Sequence, residues 1–177
     1  MGASSETGLR RLNALPEAEA QAALLRCCGS SRWAEAMTGA RPFASGDALL
    51  AAAERAFAQL EPGDWMEAFS HHPRIGDRAA LEARLAATRA WSAGEQAGVA
   101  AAAPDVLDAL AAGNRAYEER FGHVFLVCAT GKSAGEMLAL LHERLPNPPA
   151  RELRVAAAEQ AKITRLRLEK MLQEVNA

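Results

Sequence analysis

Aromatic residues are scarce in this 177-residue chain, which holds three Trp, one Tyr and five Phe. β-Branched residues are sparse as well, while alanine and leucine abound. That usage disfavours strands and favours helix along nearly the whole length. Cysteine is limited to Cys27, Cys28 and Cys128. An odd count without framework spacing excludes a disulfide scaffold and fits free thiols in a reducing compartment. The net charge is -2, so the basic footprint of a nucleic-acid binder is missing. No apolar run approaches the roughly 20 residues of a membrane span. Residues 1–11 are polar, so no secretory signal is expected. Residues 174–177 carry no peroxisomal tripeptide. The expectation is a soluble, cytoplasmic protein.

Half of the chain is hydrophobic and 24% is charged, which is ordinary globular usage. The length fits one domain, 1–177, with a core over about 12–172 and a flexible arm at 1–11. Loop residues cut the chain into helix-sized pieces. Helices are expected over 15–28, 33–37, 47–60, 65–70, 78–90, 92–103, 105–120, 133–145 and 149–173, with Asp47 as a candidate cap of the third. The fold class is therefore all-α, a compact bundle of about eight to nine helices. Residues 71–77 read as a loop, because Pro73 disfavours helix at His72 and Gly76 admits unusual dihedrals. Val124 to Cys128 is a short apolar run between Gly122 and Gly131. It is the one candidate extended segment, and periodicity does not separate a strand from a buried loop there.

Several motifs reduce to local structure. Gly131-Lys132-Ser133 resembles the tail of a phosphate-binding loop, but Leu126 stands where that loop needs glycine. Ser133-Ala134-Gly135-Glu136 fits a capping box instead. His71-His72 invites a metal reading, yet adjacent residues do not share a helix face and no ligand-spaced cluster accompanies them. No metal is expected. His123 and His142 are isolated and suit packing or surface roles.

Three features keep a chemical reading open. His72 precedes a fixed proline dihedral in a glycine-containing loop, and histidine suits proton transfer near neutrality. On the local sequence alone, a packing role is the better account of His72. Ser92-Ala93-Gly94-Glu95-Gln96 is a capping-box signature, and a helix start also offers free amide donors. Arg165 has Glu169 four residues on and belongs to a solvated face. Arg167 has Ile163 and Met171 at that spacing, so it faces the apolar side, where a buried guanidinium needs an anion or polar partner. A non-catalytic helical interaction module remains the alternative.

Taken in order, the motifs resemble the 2-oxo-4-hydroxy-4-carboxy-5-ureidoimidazoline (OHCU) decarboxylase family of uric acid degradation. The pieces are Asn13-Ala14-Leu15-Pro16, Cys28-Gly29-Ser30 with Trp33, Arg41-Pro42-Phe43, and Phe69-x-x-His72-Pro73-Arg74-Ile75-Gly76-Asp77. Ser92-x-x-Glu95-Gln96, Asn114-x-x-Tyr117-x-x-Arg120-Phe121-Gly122 and Phe125-Leu126-Val127-Cys128-Ala129 follow. Gly131-Lys132-Ser133, Arg144-Leu145-x-Asn147, Glu152 and Lys162-Ile163-x-x-Leu166-Arg167-Leu168 complete the set. Each piece is weak alone; their number, order and spacing make the set specific.

The resemblance implies a helical homodimer that decarboxylates OHCU to (S)-allantoin and carbon dioxide without a cofactor. It places the catalytic pair on His72 and Glu95. It assigns substrate binding to Pro73, Ser92, Glu95, Gln96, Phe125, Leu126, Val127, Cys128, Ala129 and Arg167. The chain departs from the family at His123-Val124, where Phe-Pro is usual, and at Thr130, where arginine is common. The missing proline implies a less constrained approach to Phe125.

Overall fold

The computed structural model describes residues 3–73 and 104–173. Among them it is all-α: α1 (Ala3–Ala14), α2 (Glu17–Cys28), α3 (Ser31–Gly39), α4 (Gly46–Ala58), α5 (Pro62–Ser70), α6 (Pro104–Phe121), α7 (Ala134–Arg144) and α8 (Pro149–Gln173). The helices expected over 78–90 and 92–103 lie outside the described residues. Two compact units emerge, Met1–Ala68 with Gln160–Ala177, and Phe69–Glu159. The last helix thus supplies its first part to the second unit and the remainder to the first.

In the first unit, α2 packs on α3, and α4 packs on both α3 and α1. Leu24, Trp33, Met37 and Leu49 are fully buried, each worth about 1.5–3 kcal/mol or more of removed apolar surface. The Trp33 indole satisfies its N–H on the Ala53 carbonyl at 3.2 Å. Gly29, at φ +84°, closes α2 in the left-handed region. Ser30 then caps α3, its hydroxyl accepting from the Trp33 amide at 3.2 Å. The cap of α4 is Ser45, which accepts from the Ala48 amide at 3.1 Å. Asp47, the expected cap, instead lies in the first turn, where its charge complements the helix dipole.

Of the arm expected to be flexible at 1–11, residues 3–11 belong to α1. Leu9 and Leu12 of α1 are buried at 7% and 3% exposure. A Cβ on Gly8 would collide with the backbone of Leu172, so glycine permits α1 to lie directly on the end of α8. The polar composition of this segment hid two leucines three residues apart, enough for one apolar stripe. The connection after α3 secures the other end of α1. Arg41 donates to the carbonyls of Leu12 and Leu15 at 2.9 and 2.8 Å, satisfying terminal acceptors of α1. Asn13 exchanges two 2.9 Å hydrogen bonds with the backbone of Phe43.

In the second unit, α6 packs on α7. The core joins Leu110, Tyr117, Met137 and Leu141 to Phe125, Val127 and Ala129 of the intervening segment. Gly113 admits the close approach: a Cβ there would sit 2.7 Å from a Leu141 methyl. Gly122, at φ +74°, ends α6. Ser133 and Glu136 form the expected capping box at the start of α7, so Gly131-Lys132-Ser133 announces a helix. Residues 124–129 are irregular rather than a strand, and Phe125, Leu126, Val127 and Ala129 are buried. The apolar run is a buried loop.

Candidate active site

The described part of the second unit carries His72, Pro73 and residues 125–129. α5 ends at Ser70, and the His72 amide closes a turn on the Phe69 carbonyl at 3.0 Å. Pro73 then prevents the helix from resuming. His72 and Pro73 are half-buried, and His72 Nε2 is shielded from solvent. Phe69 is buried and its ring lies 5.0 Å from that of His123, tilted by 50°. His123 also meets Tyr117 edge-on at 5.5 Å. It thereby takes an aromatic place in the core. Burial pushes its imidazole below the ordinary histidine range, the main opposing influence being its contact with the Val124 carbonyl.

The backbone of residues 126–129 is held by three charged side chains. Arg144 Nη1 donates to the Leu126 carbonyl at 2.6 Å. Glu159 Oε2 accepts from the Cys128 amide at 2.7 Å. Lys132 Nζ donates to the Cys128 carbonyl at 2.8 Å, while its amide closes a turn on the Ala129 carbonyl at 2.9 Å. Gly131, at φ +79°, supplies the left-handed residue of that turn. Among the described residues, no acceptor meets the amides of Leu126, Val127 or Ala129.

Arg144 is itself fixed by a buried polar network. Its Nε and Nη2 reach Glu152 Oε1 at 2.8 and 2.6 Å, with side chains 8% and 0% exposed. Its Nη2 lies 3.3 Å from the Tyr117 hydroxyl, and its guanidinium covers the Phe125 ring at 4.7 Å. The Tyr117 hydroxyl donates to Glu152, and Asn147 donates to the other Glu152 oxygen at 2.7 Å. Burial and the adjoining Glu152 carboxylate both raise the Tyr117 pKa, so its proton stays.

The first unit carries Arg167, 7% exposed on the apolar side of α8 between Ile163 and Met171 at 6% and 7%. Arg165 is solvated, bonding Glu169 and Glu54 at 3.1 Å each. Near Arg167, burial pushes the Cys28 thiol up to about 11, against a hydrogen bond from Thr164. That thiol is therefore protonated and inert as a nucleophile near neutrality. None of the three cysteines is in a disulfide. Ser92, Glu95 and Gln96 lie outside the described residues. Among the described residues, no group of three His, Cys, Asp or Glu side chains has the arrangement of a metal site, and no helix is long and apolar enough to cross a membrane.

Tyr117, Lys132, Arg144, Asn147 and Glu152 carry the resemblance without an assigned role, and Glu159 leaves no signal in the sequence. The spacing argument that singles out Arg167 would also have found Arg144. It follows Ala134, Met137 and Leu141 on the buried face of α7. Glu152 likewise begins a buried stripe with Ala156, Gln160, Ile163 and Arg167.

Comparison with known proteins bears on the whole arrangement. The sequence profile described as OHCU decarboxylase matches residues 13–169. The chain is 38% identical over 148 residues to the uric acid degradation bifunctional protein TTL of Arabidopsis thaliana, an alignment covering 84% of this chain and 46% of that protein. It is 34% identical over 142 residues to the 2-oxo-4-hydroxy-4-carboxy-5-ureidoimidazoline decarboxylase of Amia calva, covering 79% of each. A crystal structure of OHCU decarboxylase in the presence of (S)-allantoin superposes with a TM-score of 0.73 at 34% identity, over 85% of this chain and 96% of that one. A crystal structure of (S)-allantoin synthase shares the fold, with a TM-score of 0.66 at 19% identity over 92% of this chain and 53% of that one.

Proposed function

The chain belongs to the OHCU decarboxylase family, and on that footing we propose that it converts 2-oxo-4-hydroxy-4-carboxy-5-ureidoimidazoline to (S)-allantoin and carbon dioxide. The observation that carries the reading is the 34% identical fold match to a decarboxylase crystallised with (S)-allantoin, over 96% of that chain. The irregular segment at 126–129 supports it from within this protein. Buried amides that meet no acceptor among the described residues suit a ligand rich in carbonyl and ureido oxygens, since leaving them unmatched is costly.

The chemistry needs no external electron sink. The bond to the departing carboxylate breaks, its electron pair forms a C=C bond to the ureido-bearing carbon, and the π pair of the ring C=N bond moves onto nitrogen, which takes up a proton. A proton then adds at the ureido-bearing carbon and sets its configuration, while the neighbouring enol hydroxyl loses its proton to become the carbonyl of allantoin. His72 delivers that proton, with Glu95 orienting or charging it. Arg167 binds a polar or anionic group of the substrate. Pro73, Ser92, Gln96 and residues 125–129 complete the binding site. A positioned proton donor contributes about 10²–10⁴-fold, so preorganised donors near the developing charge must supply most of the remainder. This is cofactor-free carboxy-lyase chemistry. A single domain spanning both units, a cytoplasmic location and a homodimer belong to the same proposal.

The test is turnover of freshly generated OHCU, followed by the optical activity of the allantoin formed. Native protein should give the (S) product, and His72→Asn should lose about 10²-fold or more in kcat while remaining folded. Unchanged turnover in folded His72→Asn would remove His72 from the mechanism. For Arg167→Lys, unaltered KM and kcat would sink a planar two-point clamp.

A further inference from the structure

Three consecutive peptide planes in the 126–129 segment are each held by a charged side chain. Arg144 binds the carbonyl oxygen of the 126/127 plane. Glu159 binds the N–H of the 127/128 plane. Lys132 binds the carbonyl oxygen of the 128/129 plane. We propose that Lys132, Glu159 and Arg144 are positioning residues that aim and polarise the Val127 and Ala129 N–H groups at the reacting part of the substrate. The inference rests on the decarboxylase reading and deepens it.

The geometry follows from peptide planarity. In a trans peptide the C=O and N–H point in opposite directions, and the sole cis peptide among the described residues is Arg41-Pro42. The Val127 N–H is therefore directed away from Arg144, and the Ala129 N–H away from Lys132. A cation on the carbonyl oxygen draws electron density from the amide, which makes the N–H opposite a stronger donor. Glu159 fixes the plane between the two, so rotation of either donor meets resistance from both ends. Val127 and Ala129 are 6% and 7% exposed, so the donors act in a low-dielectric setting.

This arrangement suits a reaction in which charge moves from a departing carboxylate onto ring heteroatoms. Donors stiffened and polarised beforehand cost no reorganisation as that charge develops. Their contribution grows toward the transition state, so it belongs mainly in kcat. Arg144 is locked into the core through Glu152, whereas Lys132 and Glu159 are half-buried. The latter two are the accessible handles on the mechanism.

The experiment compares Lys132→Met with Lys132→Arg, and Glu159→Ala with Glu159→Gln, by steady-state turnover of OHCU and by melting temperature. Lys132→Met removes the donor and should lower kcat about tenfold with KM within about twofold, a fraction of the 10²–10³ seen when a direct donor is removed. Lys132→Arg should recover most of that loss. Glu159→Ala should lower kcat about fivefold, and Glu159→Gln, whose amide oxygen still accepts from Cys128, should recover it. A second readout needs no substrate. In amide spectra of the ligand-free protein, Lys132→Met should move the Ala129 N–H resonance, and Glu159→Ala the Cys128 and Val127 resonances. Turnover within twofold of native for both truncations, or losses that follow melting temperature and are not rescued by the conservative variants, overturns the positioning role. Failure of the native protein to turn over OHCU overturns the functional reading instead, and the amide shifts then judge the peptide clamp alone.

Discussion

The connection at residues 40–45 and the segment at 122–133 are both irregular and both tied down by an arginine, but the two arginines serve opposite ends. Arg41 spends its donors on the terminal carbonyls of α1, and Asn13 uses its amide oxygen and nitrogen on Phe43. That connection closes on itself as a helix stop and a staple. Arg144 is held from behind by Glu152 and grips a single carbonyl of the 126–129 segment. There the protein bonds one side of successive peptide planes and keeps buried N–H groups on the other side unsatisfied by described residues. One loop consumes its backbone polarity, and the other presents it. Equally specific motif residues therefore close the backbone in one case and leave N–H groups unmatched by described residues in the other.

The sharpest way to break this comparison is Arg144→Met. Glu152 is 0% exposed, and removing its cationic partner leaves a buried charge, which costs about 3–5 kcal/mol. Urea denaturation should show that loss; a variant of native stability would mean the network is dispensable. Asn13→Ala should cost about 1–3 kcal/mol, because two backbone groups of Phe43 lose their partners. Its kcat per folded molecule should stay native, and a selective loss of kcat would place this connection among the functional parts. Gly131→Ala should cost about 1–2 kcal/mol, since its φ is +79° while no atom lies within 4 Å of an added Cβ. Gly131→Asn should cost less, as asparagine tolerates that conformation; equal stability of all three would remove the backbone argument for this turn.

His123→Phe should give the smallest effect, visible only against pH. Burial lowers the His123 pKa below the ordinary 6.5, so the unfolded chain binds the proton more readily than the folded one. The sign follows: stability is full above about 6.5 and falls as the pH drops from there toward the lowered folded-state value. Phenylalanine keeps the aromatic packing beside Phe69 and Tyr117 and removes the proton. Its stability profile should be flatter than native on the acid side, and parallel profiles would show that His123 does not titrate in this window.

Much of the fold was legible in the sequence. The Ser133–Glu136 capping box, Pro149 as the start of α8, and the opposed fates of Arg165 and Arg167 all follow from spacing along one helix. The docking of α1 was not legible, because it depends on Leu172, more than 150 positions away, meeting Gly8. Asp47 reads as the cap of α4 from sequence, but Ser45, two residues earlier, holds that place, and only the backbone dihedrals tell the two apart. The site divides in the same way. His72 and Arg167 are marked by local rules, Lys132 stands in a motif that those rules reduce to a helix start, and Glu159 looks like any solvated charge.

The helical class, most helix ends among the described residues and the family can be read from the chain alone. Those properties rest on periodicity, capping and ordered motifs, all of which act over a few residues or along the chain. Tertiary structure decided that the apolar run 124–128 is a buried loop, and that Arg144, Glu159 and Lys132 converge on three successive peptides of its neighbourhood. A hydrogen bond to a backbone carbonyl or amide depends on where the peptide lies in space and leaves no mark in the side chains of the peptide that receives it.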